Sequence, residues 1–204
     1  MTVKNTPERW GSISQLLHWV MLAMILTMAY LGLTMGDLPN GPDKIQTYAL
    51  HKSIGLTILA LVVLRLLWRL YAGIPHPVPG TPAWQERIAS LTHWAIYGLL
   101  FAIPISGWVL NSAAGFPLQW FHLFNLPAIV GKDRNLNELA KDAHEIMFWA
   151  LVGLVAAHAG AAFFHHIFQR DATLARMLPH GWLKVGAAAP NSPDAPSKPS
   201  QTPE

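Results

Sequence analysis

Four stretches of this chain run for about twenty residues each with almost no formal charge, and they limit the possible folds severely. A helix needs about 20 residues to cross the hydrocarbon of a bilayer, and lipid forces every backbone N–H and C=O to be satisfied within the segment. The first stretch runs from about Ser14 to Gly36 without an acid or a base and contains His18. The second runs from His51 to Tyr71, with Arg65 and Arg69 only in its last two turns, where long basic side chains reach headgroups. The third runs from about Ile88 to Asn111 and holds His93 and Pro104, whose ring is expected to kink the helix. The fourth runs from about Ala143 to Phe168 and carries His144, His158, His165 and His166. Composition agrees: 52% of residues are apolar and 12% charged, about half the charged share of a soluble domain. The nine tryptophans suit anchoring at a lipid–water boundary. The expectation is an all-α integral membrane four-helix bundle, up-down-up-down.

Ser112 to Lys132 is apolar but interrupted by Gly115, Pro117, Pro127 and Gly131, so it is predicted to be a loop on the membrane surface and not a fifth crossing. Residues 1–180 form one four-span domain, and residues 181–204, rich in proline, are predicted to be a disordered tail that cannot build a core. With four crossings, one face holds both termini and nine bases (Lys4, Arg9, Arg65, Arg69, Arg87, Arg170, Arg176, Lys184, Lys198). The other holds five (Lys44, Lys52, Lys132, Arg134, Lys141), which places both termini in the cytoplasm of a cell with this inner membrane. The first apolar run exceeds twenty residues and lacks an A-x-A-like site, so it is expected to stay as a span. The net charge of +3 is scattered, which argues against nucleic acid as a partner. Cysteine is absent, excluding disulfides, thiolate-ligated haem and iron–sulfur clusters, so any metal must rest on His, Met or carboxylate.

Ionisable residues inside a span mark a site by default, and here the histidines carry that signal. His144 and His158 are fourteen residues apart, four turns at 3.5 residues per turn, so they share a face about 21 Å apart along the axis. That leaves room for two stacked cofactors and is too far for one metal ion. Depth suggests partners: His18 and His158 lie one and two turns inside the cytoplasmic face, while His51 and His144 both open their spans at the outer face. Each pair could sandwich one haem iron. Gly153, Ala156, Ala157, Ala159, Gly160, Ala161 and Ala162 around His158, and Gly55 after His51, would clear space for a macrocycle, although small residues also serve helix packing. His93 lies at the depth of His18 and could replace it or His158; the preferred role is a propionate or quinone contact. His165 and His166 are expected at the membrane edge, and His76, His122 and His180 in loops without ligand spacing.

The ordered set of residues resembles the prokaryotic cytochrome b561 family, four-helix di-haem b proteins of the inner membrane. The resemblance covers roughly Arg9 to Pro179. It is carried by Arg9-Trp10, Leu17-His18-Trp19, His51-Lys52-Ser53-Ile54-Gly55, His93 with Ile96-Tyr97, and His144-Glu145. The run from His158 through His165-His166 to Asp171, Thr173-Leu174, Arg176 and Pro179 is the most specific. The resemblance implies two haem b groups, with His18 and His158 ligating the cytoplasmic-side iron and His51 and His144 the periplasmic-side iron. It also implies electron transfer between the periplasmic face and the quinone pool, in some members oxidation of superoxide with reduction of ubiquinone.

Two imidazoles per iron leave no open site for dioxygen, so outer-sphere electron transfer is expected. The leading expectation is thus a superoxide:ubiquinone oxidoreductase spanning the bilayer, though a periplasmic redox donor could take superoxide's place. Lys44, Lys52, Lys132 and Arg134 near the outer face would attract an anion, unless they simply balance Asp37, Asp43, Asp133, Glu138 and Asp142. Arg9, Arg65, Arg69 and His93 are candidates for propionate pairing or quinone contact. No catalytic residue or protein partner is assigned. The alternative is a haem-bearing membrane anchor carrying electrons for a separate dehydrogenase- or hydrogenase-type subunit, with the Ser112–Lys132 loop as a docking surface. A haem-free transporter or zinc site lacks an H-E-x-x-H motif and an evident inverted repeat.

Overall fold

The computed structural model describes residues 2–183. Most of the predicted tail therefore lies outside the described residues. Four long helices dominate: α1 (Ser12–Thr34), α2 (Pro42–Ala72), α3 (Ala83–Ala114) and α4 (Arg134–Phe164). All four are long and apolar enough to cross a membrane.

Local chemistry sets their ends. Pro42 opens α2 in the first turn, where its missing N–H is no loss, and Asp43 beside it complements the positive end of the helix dipole. The Asp133 carboxylate caps α4 by accepting from the Leu136 N–H at 3.0 Å. Gly115 closes α3 in the left-handed conformation (φ 76°), its N–H reaching the carbonyls of Asn111 and Ser112. Helix α3 continues through Pro104. Three of the helices outrun the uncharged stretches: α2 starts at Pro42, nine residues before His51, and α4 starts nine before Ala143. The added turns carry charges that sit comfortably in water, so counting apolar residues finds the span and misses the helix.

Successive helices are antiparallel. The Trp68 indole N–H at the end of α2 donates to Ser14 Oγ at the start of α1 (3.0 Å). Lys52 near the start of α2 meets Asn111 at the end of α3 (3.2 Å), and Asn137 at the start of α4 donates to the Leu110 carbonyl (2.8 Å). Met21, Ile58, Val62, Leu100 and Leu151 form a small buried core. Leu26, Leu70, Leu91 and Ile146 are exposed, the pattern expected where lipid replaces water around the bundle.

The α3–α4 connection, expected to be a loop, also holds a hairpin of β1 (Leu118–Trp120) and β2 (Phe124–Leu126), antiparallel with Gln119 opposite Asn125. Ser53 Oγ seats it on α2 by accepting the Phe121 N–H (2.9 Å), and the Trp120 indole donates to Thr57 Oγ1 (3.0 Å). Three-residue strands held by tertiary hydrogen bonds leave no alternation long enough to read in sequence.

After α4 the chain makes a wider π turn (His165–Gln169), reverses at Arg170 (φ 53°) and forms a 3-10 turn at Ala175–Met177. The start of α1 grips this returning segment by its carbonyls. Arg9 donates to Ala175 (2.8 Å) and Leu178, Gln15 to Arg176 (3.2 Å) and Leu178 (3.1 Å), and Trp19 to Met177 (2.8 Å).

Candidate functional site

Antiparallel packing turns distance along each helix into height in the bundle, and the intramembrane histidines gather at two heights. At one, His18 of α1 faces His158 of α4 with ring centroids 6.2 Å apart and planes at 66°. At the other, His51 of α2 faces His144 of α4 at 6.3 Å and 61°. An imidazole nitrogen lies about 2 Å from a metal it ligates and a ring centroid about 1.1 Å further on, so two rings across one metal stand about 6.3 Å apart. Both pairs have that spacing. His93 of α3 also approaches His158, at 5.2 Å, which is shorter than the separation of two rings on opposite sides of one metal.

The second nitrogens are occupied in ways that matter for ligation. His144 Nδ1 lies 3.0 Å from the Ile103 carbonyl and 2.9 Å from Ser106 Oγ. A carbonyl only accepts, so Nδ1 carries the proton and Nε2 is left as the electron-pair donor, the arrangement that fixes a metal-binding histidine. His18 Nδ1 instead meets an Arg65 guanidinium nitrogen at 3.0 Å; a guanidinium only donates, so Nδ1 accepts here, and ligation through Nε2 would shift the ring proton to Nδ1 and open this hydrogen bond while leaving the cation beside the ring. His51 Nδ1 is buried without a partner. Two glycines make room for the rings of the second pair: a Cβ on Gly32 would stand 3.3 Å from His51 Cε1, and one on Gly107 would stand 3.3 Å from His144 Cε1.

Among the described residues no three His, Cys, Asp or Glu side chains converge as metal ligands. A site made by protein alone needs more than two ligands, whereas a metal carried in a planar macrocycle needs one above and one below. The residues thus fit haem, with His18, His158, His51 and His144 able to hold it.

The other predicted contacts are dispersed. Arg65 NH1 lies 3.9 Å from Met21 Sδ and its guanidinium stands over Tyr97. Arg69 stands over the rings of Trp10 and Trp94. Arg9 is committed to the carbonyls of the returning segment. His165 lies in the π turn, where its Nδ1 pairs with Asp171 Oδ2 at 2.6 Å, and Thr173 N–H donates to Asp171 Oδ1 at 2.8 Å. Burial alone would raise the Asp171 carboxyl, but the hydrogen bonds from Thr173 and His165 outweigh it and hold it below its ordinary value. Sequence reasoning missed the supporting groups Ser106, Gly107, Gly32 and the Ile103 carbonyl. A small polar residue beside a glycine inside an apolar span is a signal that could have drawn attention to Ser106 and Gly107, while Gly32, between Leu31 and Leu33, carries none.

The sequence profile of the prokaryotic cytochrome b561 family matches residues 9–180. The chain is 36% identical to cytochrome b561 homolog 2 of Escherichia coli K12 over 185 residues, 87% of this chain and 95% of that protein. It is 37% identical to cytochrome b561 homolog 1 of the same organism over 180 residues, 84% of this chain and 98% of that protein. A Yersinia pestis protein named probable superoxide oxidase CybB is 28% identical over 163 residues, 80% of this chain and 92% of that protein. Four spanning helices place the chain in the bacterial inner membrane as a multi-pass protein, and the family implies haem b. The chain belongs to the prokaryotic cytochrome b561 family and is an electron-transfer protein of the membrane.

Proposed function

We propose that the chain holds two haem b groups, one between His18 and His158 and the other between His51 and His144, and that it oxidises superoxide while reducing ubiquinone. The observation that carries the reading is the repeated centroid spacing, 6.2 and 6.3 Å, at two heights of one bundle. His93, at 5.2 Å from His158, is too near to stand opposite it across one haem iron and is assigned to quinone or propionate contact. Each haem supplies reversible one-electron chemistry when bound. The chain's own part would be to hold each haem by two imidazoles, His18 with His158 and His51 with His144, leaving dioxygen no place to bind, and to set the two sites about 21 Å apart along α4.

The excess of bases on the face holding the termini supports a cytoplasmic position for both, with His18–His158 as the inner level and His51–His144 as the outer. Lys44, Lys52, Lys132 and Arg134 gather at the outer end, where they raise the local concentration of an anion such as superoxide. Overall, two superoxide anions each give up one electron and leave as dioxygen, and one ubiquinone takes two electrons and two protons to become ubiquinol. The name of the Yersinia relative supports this donor.

A second reading, an electron-carrying anchor for a separate catalytic subunit, is favoured by the exposed apolar hairpin residues Phe121, Leu123 and Phe124. One experiment separates the two. Purified protein is mixed with a superoxide generator and a soluble ubiquinone, and quinol is followed alongside the ratio of haem to polypeptide. The proposal expects two haems per chain and quinol formation near the diffusive limit. Two haems without quinol would leave the anchor reading, and fewer than two would refute the site assignment.

A further inference from the structure

Arg65 lies two turns inside the end of α2, where a charge is costly and is retained when it acts on something. Its nearest groups are His18 Nδ1 at 3.0 Å, Met21 Sδ at 3.9 Å and the Tyr97 ring, none of which neutralises a positive charge. Among the described residues the ion pairs are Arg134–Glu138 and His165–Asp171, so no carboxylate partners it. The guanidinium keeps its proton under all conditions a protein survives.

The outer level is built differently. His144 donates from Nδ1 to the Ile103 carbonyl and Ser106 Oγ, which makes the ring a more electron-rich ligand. Lys52, the residue after His51, turns its ammonium to Asn111 Oδ1 and the Pro117 carbonyl at the hairpin. A fixed cation against one level favours whichever state there carries an extra electron, and a carbonyl against the ligand at the other level does the opposite.

We propose that Arg65 makes the inner level the stronger electron acceptor of the two, and so gives electron flow its direction. The proposal rests on the two-haem reading above. The step it describes moves one electron, oxidising the outer level and reducing the inner, with no bond made or broken.

The test is potentiometric titration of the purified full-length protein with its haems bound, followed by the b-type absorbance bands. His144→Ala, which removes the outer site, leaves the inner component alone for measurement. Adding Arg65→Gln should then lower its midpoint by at least the equivalent of a tenfold change in its electron-sharing constant, 59 mV for one electron. Adding Arg65→Lys, which keeps the charge, should lower it by less than half as much. An unchanged or raised midpoint with Gln, or an equal fall with Lys, overturns the proposal. Should the Gln variant fail to retain haem, Met21→Glu supplies a counter-charge beside the intact arginine. It should lower the midpoint relative to Met21→Gln, and no difference between those two overturns the proposal. Retention of two haems, or of none, in His144→Ala refutes the pairing itself and the proposal with it, so the two failures are told apart.

Discussion

Gly107→Val should empty or loosen the outer haem site and spare the inner one. The first added atom, Cβ, would stand 3.3 Å from His144 Cε1 and 3.6 Å from Nδ1, and two methyl carbons add volume beyond it. The imidazole cannot slide aside freely, because its Nδ1 is held at 3.0 Å by the Ile103 carbonyl and at 2.9 Å by Ser106. Moving it far enough to relieve the contact stretches those bonds past useful length. Overpacking costs about 1–3 kcal/mol and the lost hydrogen bond about 0.5–1.5 kcal/mol, so the site weakens by about 1.5–4.5 kcal/mol. At about 1.4 kcal/mol per factor of ten, haem retention at that level falls about 10- to 1,600-fold. The assay is the rate of haem loss to an excess of a haem-scavenging apoprotein, with reduced-minus-oxidised spectra identifying the component that leaves. Gly98→Val on the same helix is the control, since a Cβ there meets nothing within 4 Å. Gly32→Val, on α1 against His51 Cε1 at 3.3 Å, should deplete the same component from the opposite side of the site. Unchanged retention in both Gly107→Val and Gly32→Val would refute the argument that these glycines clear the outer ligands.

Asp171→Asn should lower the melting temperature of the protein at neutral pH. Because the Asp171 carboxyl is held below its ordinary value, its contribution is fully present above about pH 3.8 and is lost as pH falls through the lower folded-state value. The difference in melting temperature between wild type and variant should therefore stay flat from pH 5 upward, as far as the His165 pairing allows, and close in stronger acid. A difference that grew on acidification would contradict the assignment. Asp133→Ala removes the cap on α4 and should cost about 0.5–2 kcal/mol, read as a lower denaturant midpoint in detergent, with Asp133→Asn largely preserving stability. Arg9→Ala combined with Gln15→Ala takes the side-chain donors from the carbonyls of Ala175, Arg176 and Leu178, and hydrogen exchange should speed up in that segment while the centre of α4 stays protected.

A bilayer makes one coordinate of this fold legible and hides the others. Lipid demands spans of a fixed length, so a residue's place along a span becomes its height, and height groups His51 with His144 but leaves His18, His93 and His158 together at the other level, where the structure sets His18 6.2 Å and His93 5.2 Å from His158. Rotation about each helix has no such ruler. Arg65 and Arg69 are four residues apart and share a face by sequence, yet one reaches His18 Nδ1 while the other stands over Trp10 and Trp94. They stand about one turn apart in height, and which groups face each of them is set by how the neighbouring helices are turned. Arg9 shows the same limit, because its guanidinium is engaged by carbonyls 166 and 169 residues away, which height does not reveal. Ser106 and Gly107 were hidden for a related reason: their importance comes from facing His144 across a helix boundary, and in sequence they are only small residues in an apolar run. The histidines proposed as ligands are thus readable because an ionisable group in lipid is conspicuous wherever it points. The groups that would tune them are readable only once the packing is known, because carbonyls, glycines and serines are inexpensive in a membrane helix whether or not they touch a site.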